Sequence, residues 1–218
     1  MRHLFSALRI ILTNNPNYGC LKKNTPPTYQ YLCKGENQFT DGICHAFIEM
    51  DGHDLCTGKS SKFYISFIEA YNVKHLDVAI RTIKKLLGEP FTYVLIGSGI
   101  HDNFDWKMMI SDYLEPIVSI VSSKGIGWPR LVWLTTHAAG PLKPLTYAVK
   151  QGNEAIKRYN QQIARFCYRN NITLFDTYNM TRQTYSYDGT HYGLGVNMVK
   201  AQVLLNFIED QWKHHKIT

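Results

Sequence analysis

Phe91-Thr92-Tyr93-Val94-Leu95-Ile96-Gly97-Ser98-Gly99 is the stretch from which the fold is read. A short, nearly continuous apolar run fits a strand buried on both faces, which is the habit of parallel sheets. The Gly-Ser-Gly that ends it fits a loop delivered at the strand's carboxyl end. Leu131-Val132-Trp133-Leu134-Thr135-Thr136 repeats the pattern and leads to His137 and a loop rich in Gly and Pro. Ile172-Thr173-Leu174-Phe175-Asp176 is a third such run.

Helical periodicity fills the spaces between and around these runs. Asp77 to Leu87 is amphipathic, with Val78, Ile80, Ile83, Leu86 and Leu87 on one side and Gly88 as the stop. Trp106 to Ser123 reads as helix, and Ala148 to Asn170 as one long amphipathic helix. Gly193 to Trp212 closes the chain, apolar at Val196, Val199, Val203, Leu204, Phe207 and Ile208. Strands alternating with helices of this length predict an α/β fold, a three-layer α/β/α sandwich with a mainly parallel sheet. Ligands bind such sheets at the carboxyl ends of the strands. Those ends carry Gly97 to Asn103, His137 and, after the last strand, Asp188 and His191.

The front of the chain is different. His3 to Leu12 predicts an apolar helix that stops near Asn14-Asn15-Pro16, where helix breakers cluster. Residues 16 to 61 are rich in Pro, Gly, Asn and Cys and have no sustained period, so they read as a loop elaboration with at most short strands. Lys62 to Ile68 alternates as a strand would. The whole is expected to be one domain, 1–218, with 62–213 as its α/β core.

Composition narrows the partners. The 218 residues are 44% hydrophobic, enough for a real core, and carry a net charge of +7. The basic residues are scattered in ones and twos, so no nucleic-acid groove is expected. No apolar run approaches the roughly 20 residues of a membrane span. The first ten residues do not read as a signal peptide, because Arg9 interrupts the apolar run and no cleavage site follows.

Cys20, Cys33, Cys44 and Cys56 crowd into the loop-rich segment, and Cys167 stands apart. Without a C-x-x-C pair, a zinc site with His45 or His53 is the weaker reading, and neither a metal nor a cofactor is expected. Two local disulfides are expected instead, with their connectivity open and Cys167 a buried free thiol. Asn171-Ile172-Thr173 and Asn179-Met180-Thr181 are two glycosylation sequons. Cysteines and sequons together point to the secretory pathway.

The chemistry-bearing segment is Ser186-Tyr187-Asp188-Gly189-Thr190-His191-Tyr192-Gly193. A histidine base needs a partner that accepts its Nδ1–H, so that Nε2 is free to take a proton. Asp-x-x-His in a turn can supply both groups. Gly97-Ser98-Gly99 extends neither to a dinucleotide fingerprint nor to G-x-S-x-G, so Ser98 is not expected to be a nucleophile.

Taken with Ile96-Gly97-Ser98-Gly99-Ile100-His101-Asp102-Asn103, the segment Tyr187-Asp188-Gly189-Thr190-His191-Tyr192 resembles the SGNH (GDSL-like) hydrolases, and within them the PC-esterase branch. The resemblance covers most of residues 60 to 213. It implies a Ser–His–Asp mechanism with His191 as general base, Asp188 as its orienting partner and Gly99 at the oxyanion site. The family's Asn falls on His101, with Asn103 as the other candidate donor. The family's Gly-Asp-Ser nucleophile closes a first strand that would precede the helix at Arg2, and neither that strand nor its serine is found in this chain. Ser6 sits inside the helix pattern.

The resemblance therefore implies an O-acyl, preferentially O-acetyl, esterase or transferase acting on a glycan or another O-acylated small molecule. The parent protein would work in the Golgi lumen or outside the cell, and the chain alone is expected to be inactive. The alternative is a non-catalytic glycan-binding or interaction protein, with Tyr185, Tyr187, Tyr192 and Trp106 as stacking surfaces for sugar rings.

Overall fold

A computed structural model describes residues 1–17, 25–44, 56–57, 64–123, 125 and 127–215. The chain divides into two compact units, Ala70–Thr190 and a second made of Met1–Glu69 with His191–Thr218.

The Ala70–Thr190 unit holds the sheet. β3 (Tyr93–Ile96), β4 (Arg130–Leu134) and β5 (Thr173–Phe175) run parallel in the order β3-β4-β5. Their register pairs Ile96 with Trp133 and Leu134 with Phe175. β4 is central, and Leu131, Val132, Trp133 and Leu134 are all buried on it. Each such side chain contributes roughly 1.5–3 kcal/mol on burial. β3, at the edge, buries only Ile96 fully, although its sequence run is just as apolar. The α/β class and the parallel sheet are as the sequence predicts.

Helices α4 (Leu76–Leu86), α5 (Trp106–Met109), α6 (Glu115–Ser122), α7 (Leu145–Gln151), α8 (Asn153–Arg169) and α9 (Thr177–Thr181) complete this unit. Ile83, Ile117, Leu131, Trp133, Ile156, Tyr159 and Ile163 belong to one core cluster. The expected 106–123 helix is interrupted by a π-helical stretch, Ile110–Leu114. That stretch leads into Pro116, which has no N–H to give to a preceding carbonyl, so the regular ladder cannot run through. The expected 148–170 helix starts earlier and breaks at Gly152 into α7 and α8. Asp105 caps α5 by accepting the N–H groups of Lys107 and Met108, both at 3.1 Å. α9 follows the third apolar run without a helical period of its own, and Asp176, the last residue of that run, caps it through the Asn179 N–H at 3.1 Å.

The second unit is built on α1 (Arg2–Thr13), which packs along α10 (Leu194–His215). Every residue from His3 to Ile10 is buried, the polar His3, Ser6 and Arg9 included. Asn14 ends it in the left-handed conformation, φ 50°. The buried stripe of α10 is Asn197, Lys200, Ala201 and Leu204, at helical spacing. Val199 and Val203, expected on the apolar face, are 60% and 42% exposed.

The elaboration is more ordered than its composition suggests. It contains α2 (Pro27–Leu32), opened by a proline at its first position, and α3 (Asn37–Thr40). Of the strand expected over 62–68, Tyr64–Ile65 forms β2, paired antiparallel with β1 (Cys56–Thr57) outside the parallel sheet, while 66–68 are not strand and 62–63 lie outside the described residues. Cys33 and Cys44 form a disulfide, Cα to Cα 5.1 Å, both fully buried. It joins the two inner cysteines of the four; Cys20 lies outside the described residues, as does the Cys56 side chain. Cys167 is a buried free thiol, as expected.

Candidate active site

Three loops leave the carboxyl ends of the parallel strands. The first, after β3, is bent by backbone that side chains resist. Gly99 has φ 134°, and Asn103 and Phe104 follow in the left-handed region at φ 49° and 58°. For a residue as bulky as Phe104 that conformation costs of order 1–3 kcal/mol, and its buried ring is held against Tyr159, centroids 5.2 Å apart. Tyr159 also donates its hydroxyl to the Ser98 carbonyl at 3.0 Å. Burial raises the Tyr159 pKa well above that of a free phenol, so it stays a neutral donor.

The sequence-predicted residues of this loop take distinct positions. Gly99 is buried, and its N–H has no hydrogen-bond acceptor among the described residues. His101 is exposed and its ring lies on Tyr71, centroids 4.9 Å apart. Asn103 is exposed, and its Oδ1 accepts from Gln151 Nε2 at 3.3 Å. Ser98 donates its hydroxyl to the Tyr71 carbonyl at 3.1 Å, a structural use that leaves it no base. Asp102 accepts the Val73 N–H at 3.3 Å; desolvation raises its pKa, against the lowering effect of that bond.

The second loop, after β4, is fixed by two asparagines that sequence reading passed over. Asn160 on α8 brackets Thr136, accepting its N–H and donating to its carbonyl, both at 2.9 Å. Asn153, two turns earlier on the same helix, does the same for Ala139, again at 2.9 Å both ways. Amides seven residues apart on an otherwise apolar helix face were the available signal.

This clamped loop receives the Asp188–Thr190 turn. The Gly140 N–H donates to the Gly189 carbonyl at 3.0 Å. His137 Nε2 is 2.6 Å from the Thr190 carbonyl, and Lys143 Nζ donates to the Thr190 hydroxyl at 2.8 Å. Burial lowers the Lys143 pKa, and the nearby Asp188 carboxylate works in the opposite direction. Asp188 Oδ1 accepts the Thr190 N–H at 2.8 Å, the local turn that lets a carboxylate shape its own backbone. Ile100 from the first loop, His137 and Lys143 from the second, and Gly189 and Thr190 line one cavity of about 10 Å³. That is room for about one water molecule. A larger concavity of about 560 Å³ lies between Arg165, Tyr168 and Leu174, on helix α8 and strand β5. It has no groups suited to acyl chemistry.

His191 begins the other unit. It is exposed, and its ring is 5.1 Å from that of His3, which is buried and meets Phe39 edge-on at 5.7 Å. Ser6 is fully buried within α1, in keeping with a helix serine. Of the aromatic residues proposed for sugar stacking, Tyr185 is 68% exposed and Tyr192 only 2%, so Tyr192 is a core residue. Trp106 and Tyr187 are half-buried. Asn171 and Asn179 are both exposed, and the Asn179 amide donates to the Asp176 carboxylate. Among the described residues no group of three or more His, Cys, Asp or Glu is arranged to hold a metal ion, and no helix is long and apolar enough to cross a membrane.

No protein-family profile matches the sequence, and no curated protein matches it. Among solved structures the chain is similar to a carbohydrate acetylesterase from Sinorhizobium meliloti, at 14% identity and a TM-score of 0.48, over 64% of this chain and 67% of that one. It is also similar to the native aryl esterase of M. smegmatis, at 13% identity and a TM-score of 0.44, over 63% of this chain and 67% of that one.

Proposed function

We propose that this chain carries the base and oxyanion half of a Ser–His–Asp acyl-transfer enzyme acting on an O-acylated glycan or small molecule, with acetyl the favoured group. The observation that carries the reading is the Asp188–Thr190 turn, held by His137 and Lys143 at the carboxyl end of the sheet. Ile100, next to Gly99, lines the same small cavity.

In this reading the nucleophile is a serine in a Gly-Asp-Ser segment, as the resemblance implies. His191 Nε2 takes the serine proton as Oγ bonds to the acyl carbon, and the carbonyl electron pair moves to oxygen. The Gly99 N–H stabilises that oxyanion. Asn103 is the second donor, because Gln151 engages its Oδ1 and leaves Nδ2 to donate; His101 is the other candidate. Collapse expels the alkoxide, which takes the proton back from the imidazolium. Water or a sugar hydroxyl then attacks the acyl-enzyme with the same base. Asp188 holds the imidazole in the required tautomer. The Cys33–Cys44 disulfide and the exposed Asn171 support work in the secretory pathway.

The test is to place a strand ending in Gly-Asp-Ser ahead of Arg2 and to measure hydrolysis of small acetyl esters. The complemented chain should be active and the chain as given inactive. Within the complemented chain His191→Ala should abolish the gain. Asp188→Asn should cost about 10⁴-fold in kcat, the scale seen when such a tautomer is released. Activity in the chain as given that survives His191→Ala would refute the assignment.

A further inference from the structure

The Cys-rich loop does more than decorate the fold. The disulfide Cys33–Cys44 closes a loop containing Glu36 and Phe39. Glu36 accepts the Leu194 N–H with both carboxylate oxygens, at 3.0 and 3.2 Å, across 158 residues of chain. Leu194 is the first residue of α10, three positions after His191. The first N–H groups of a helix have no partner within it and favour negative charge. A local Ser, Thr, Asp or Asn usually supplies that acceptor. Here the residue before the helix is Gly193, and a Cβ there would strike Glu36 Oε1. The glycine leaves room for a cap from elsewhere in the chain.

Phe39, fully buried, meets the His3 ring edge-on, and His3 in turn lies 5.1 Å from His191. The loop is itself tied down at Asn17, whose carbonyl accepts the Gly35 N–H at 2.8 Å and Gln38 Nε2 at 2.9 Å. One disulfide-closed loop therefore grips the His191 segment twice, through the backbone after it and through the ring beside it.

We infer that Glu36 is a positioning residue for His191, and that the Cys33–Cys44 disulfide exists to hold Glu36 and Phe39 in place. This inference rests on the reading of His191 as the base, but its geometry is measurable without any activity. In the unmodified chain, imidazole-detected NMR should show a cross-peak between the His3 and His191 rings. Glu36→Ala and the double variant Cys33→Ser with Cys44→Ser should each lose it. Glu36→Gln, which keeps an acceptor for the Leu194 N–H, should retain it. If the alanine variant does not fold, Phe39→Leu, which removes only the ring support, should still weaken the cross-peak. In the Gly-Asp-Ser-complemented chain Glu36→Ala should lower kcat at least tenfold with KM unchanged, and Glu36→Gln should restore most of it. A cross-peak that persists in Glu36→Ala and in Phe39→Leu would overturn the inference and leave Glu36 a helix cap only. If the complemented chain is inactive throughout, the catalytic reading fails, and the NMR result still decides the positioning role.

Discussion

Tyr159 stands over Gly99 so closely that a Cβ there would lie 2.7 Å from the ring carbon and the hydroxyl oxygen. The glycine is also at φ 134°, a conformation that side chains resist. The ring that excludes a side chain is the one whose hydroxyl holds the Ser98 carbonyl. Gly99→Ala should therefore destabilise the protein by roughly 3 kcal/mol or more, from overpacking and backbone strain together. Urea unfolding of the variant checks this; an unchanged midpoint would mean that the loop after β3 is not built as described.

The amide of Asn160 satisfies both polar groups of the Thr136 backbone. Asn160→Ala should leave the part-buried N–H and C=O of Thr136 without this partner, at up to about 1–3 kcal/mol each. Asn160→Asp keeps the acceptor but loses the donor, so it should fall between the two. Unfolding free energies of the three proteins measure the order. Equal stability of the alanine variant and the parent would remove the clamp from the account.

Lys200 is buried on α10 without an acidic partner among the described residues, and burial lowers its pKa from 10.5 to about 8. Between these values the unfolded chain holds more protons than the folded one, so stability contributed at this site rises with pH across that window. Below about pH 8 the buried charge costs up to about 3 kcal/mol. Lys200→Met should accordingly be more stable than the parent at pH 7, and the gap should narrow between pH 8 and 10.5. A gap that stays constant across this range would contradict the assignment.

Cys167 is fully buried, and burial pushes its thiol up to about 12. The thiolate is the reactive species, so iodoacetamide at pH 8 should leave the Cys167 peptide unmodified in the folded protein and alkylate it after denaturation. Labelling of the native protein at this position would show that the core around α8 is open.

The parallel sheet was legible because β3, β4 and β5 are each continuous apolar runs ending at polar or glycine-containing loops. The element ends were less so. Pro116 and Gly152 interrupt helices whose apolar spacing continues past them, and periodicity does not register a break of one residue. Val199 and Val203 continue the apolar spacing of α10 but are exposed, while Asn197 and Lys200 are buried. Residue type was a poor guide where neighbours from distant sequence decide burial. Asp188, His191 and Gly99 could be singled out as candidates because each lies in a short local motif. Glu36, Asn153, Asn160 and Lys143 could not, since each acts on backbone or hydroxyl groups supplied by another part of the fold.

The most direct test of the central claim is labelling by a fluorophosphonate, which reacts with a serine only when a base activates it. The chain complemented with a Gly-Asp-Ser strand ahead of Arg2 should gain one covalent label on the added serine, located by peptide mass spectrometry. His191→Ala in the same protein should lose that label while remaining folded. Labelling of the added serine that is undiminished in His191→Ala would contradict the account, because His191 would then not be the group that activates it.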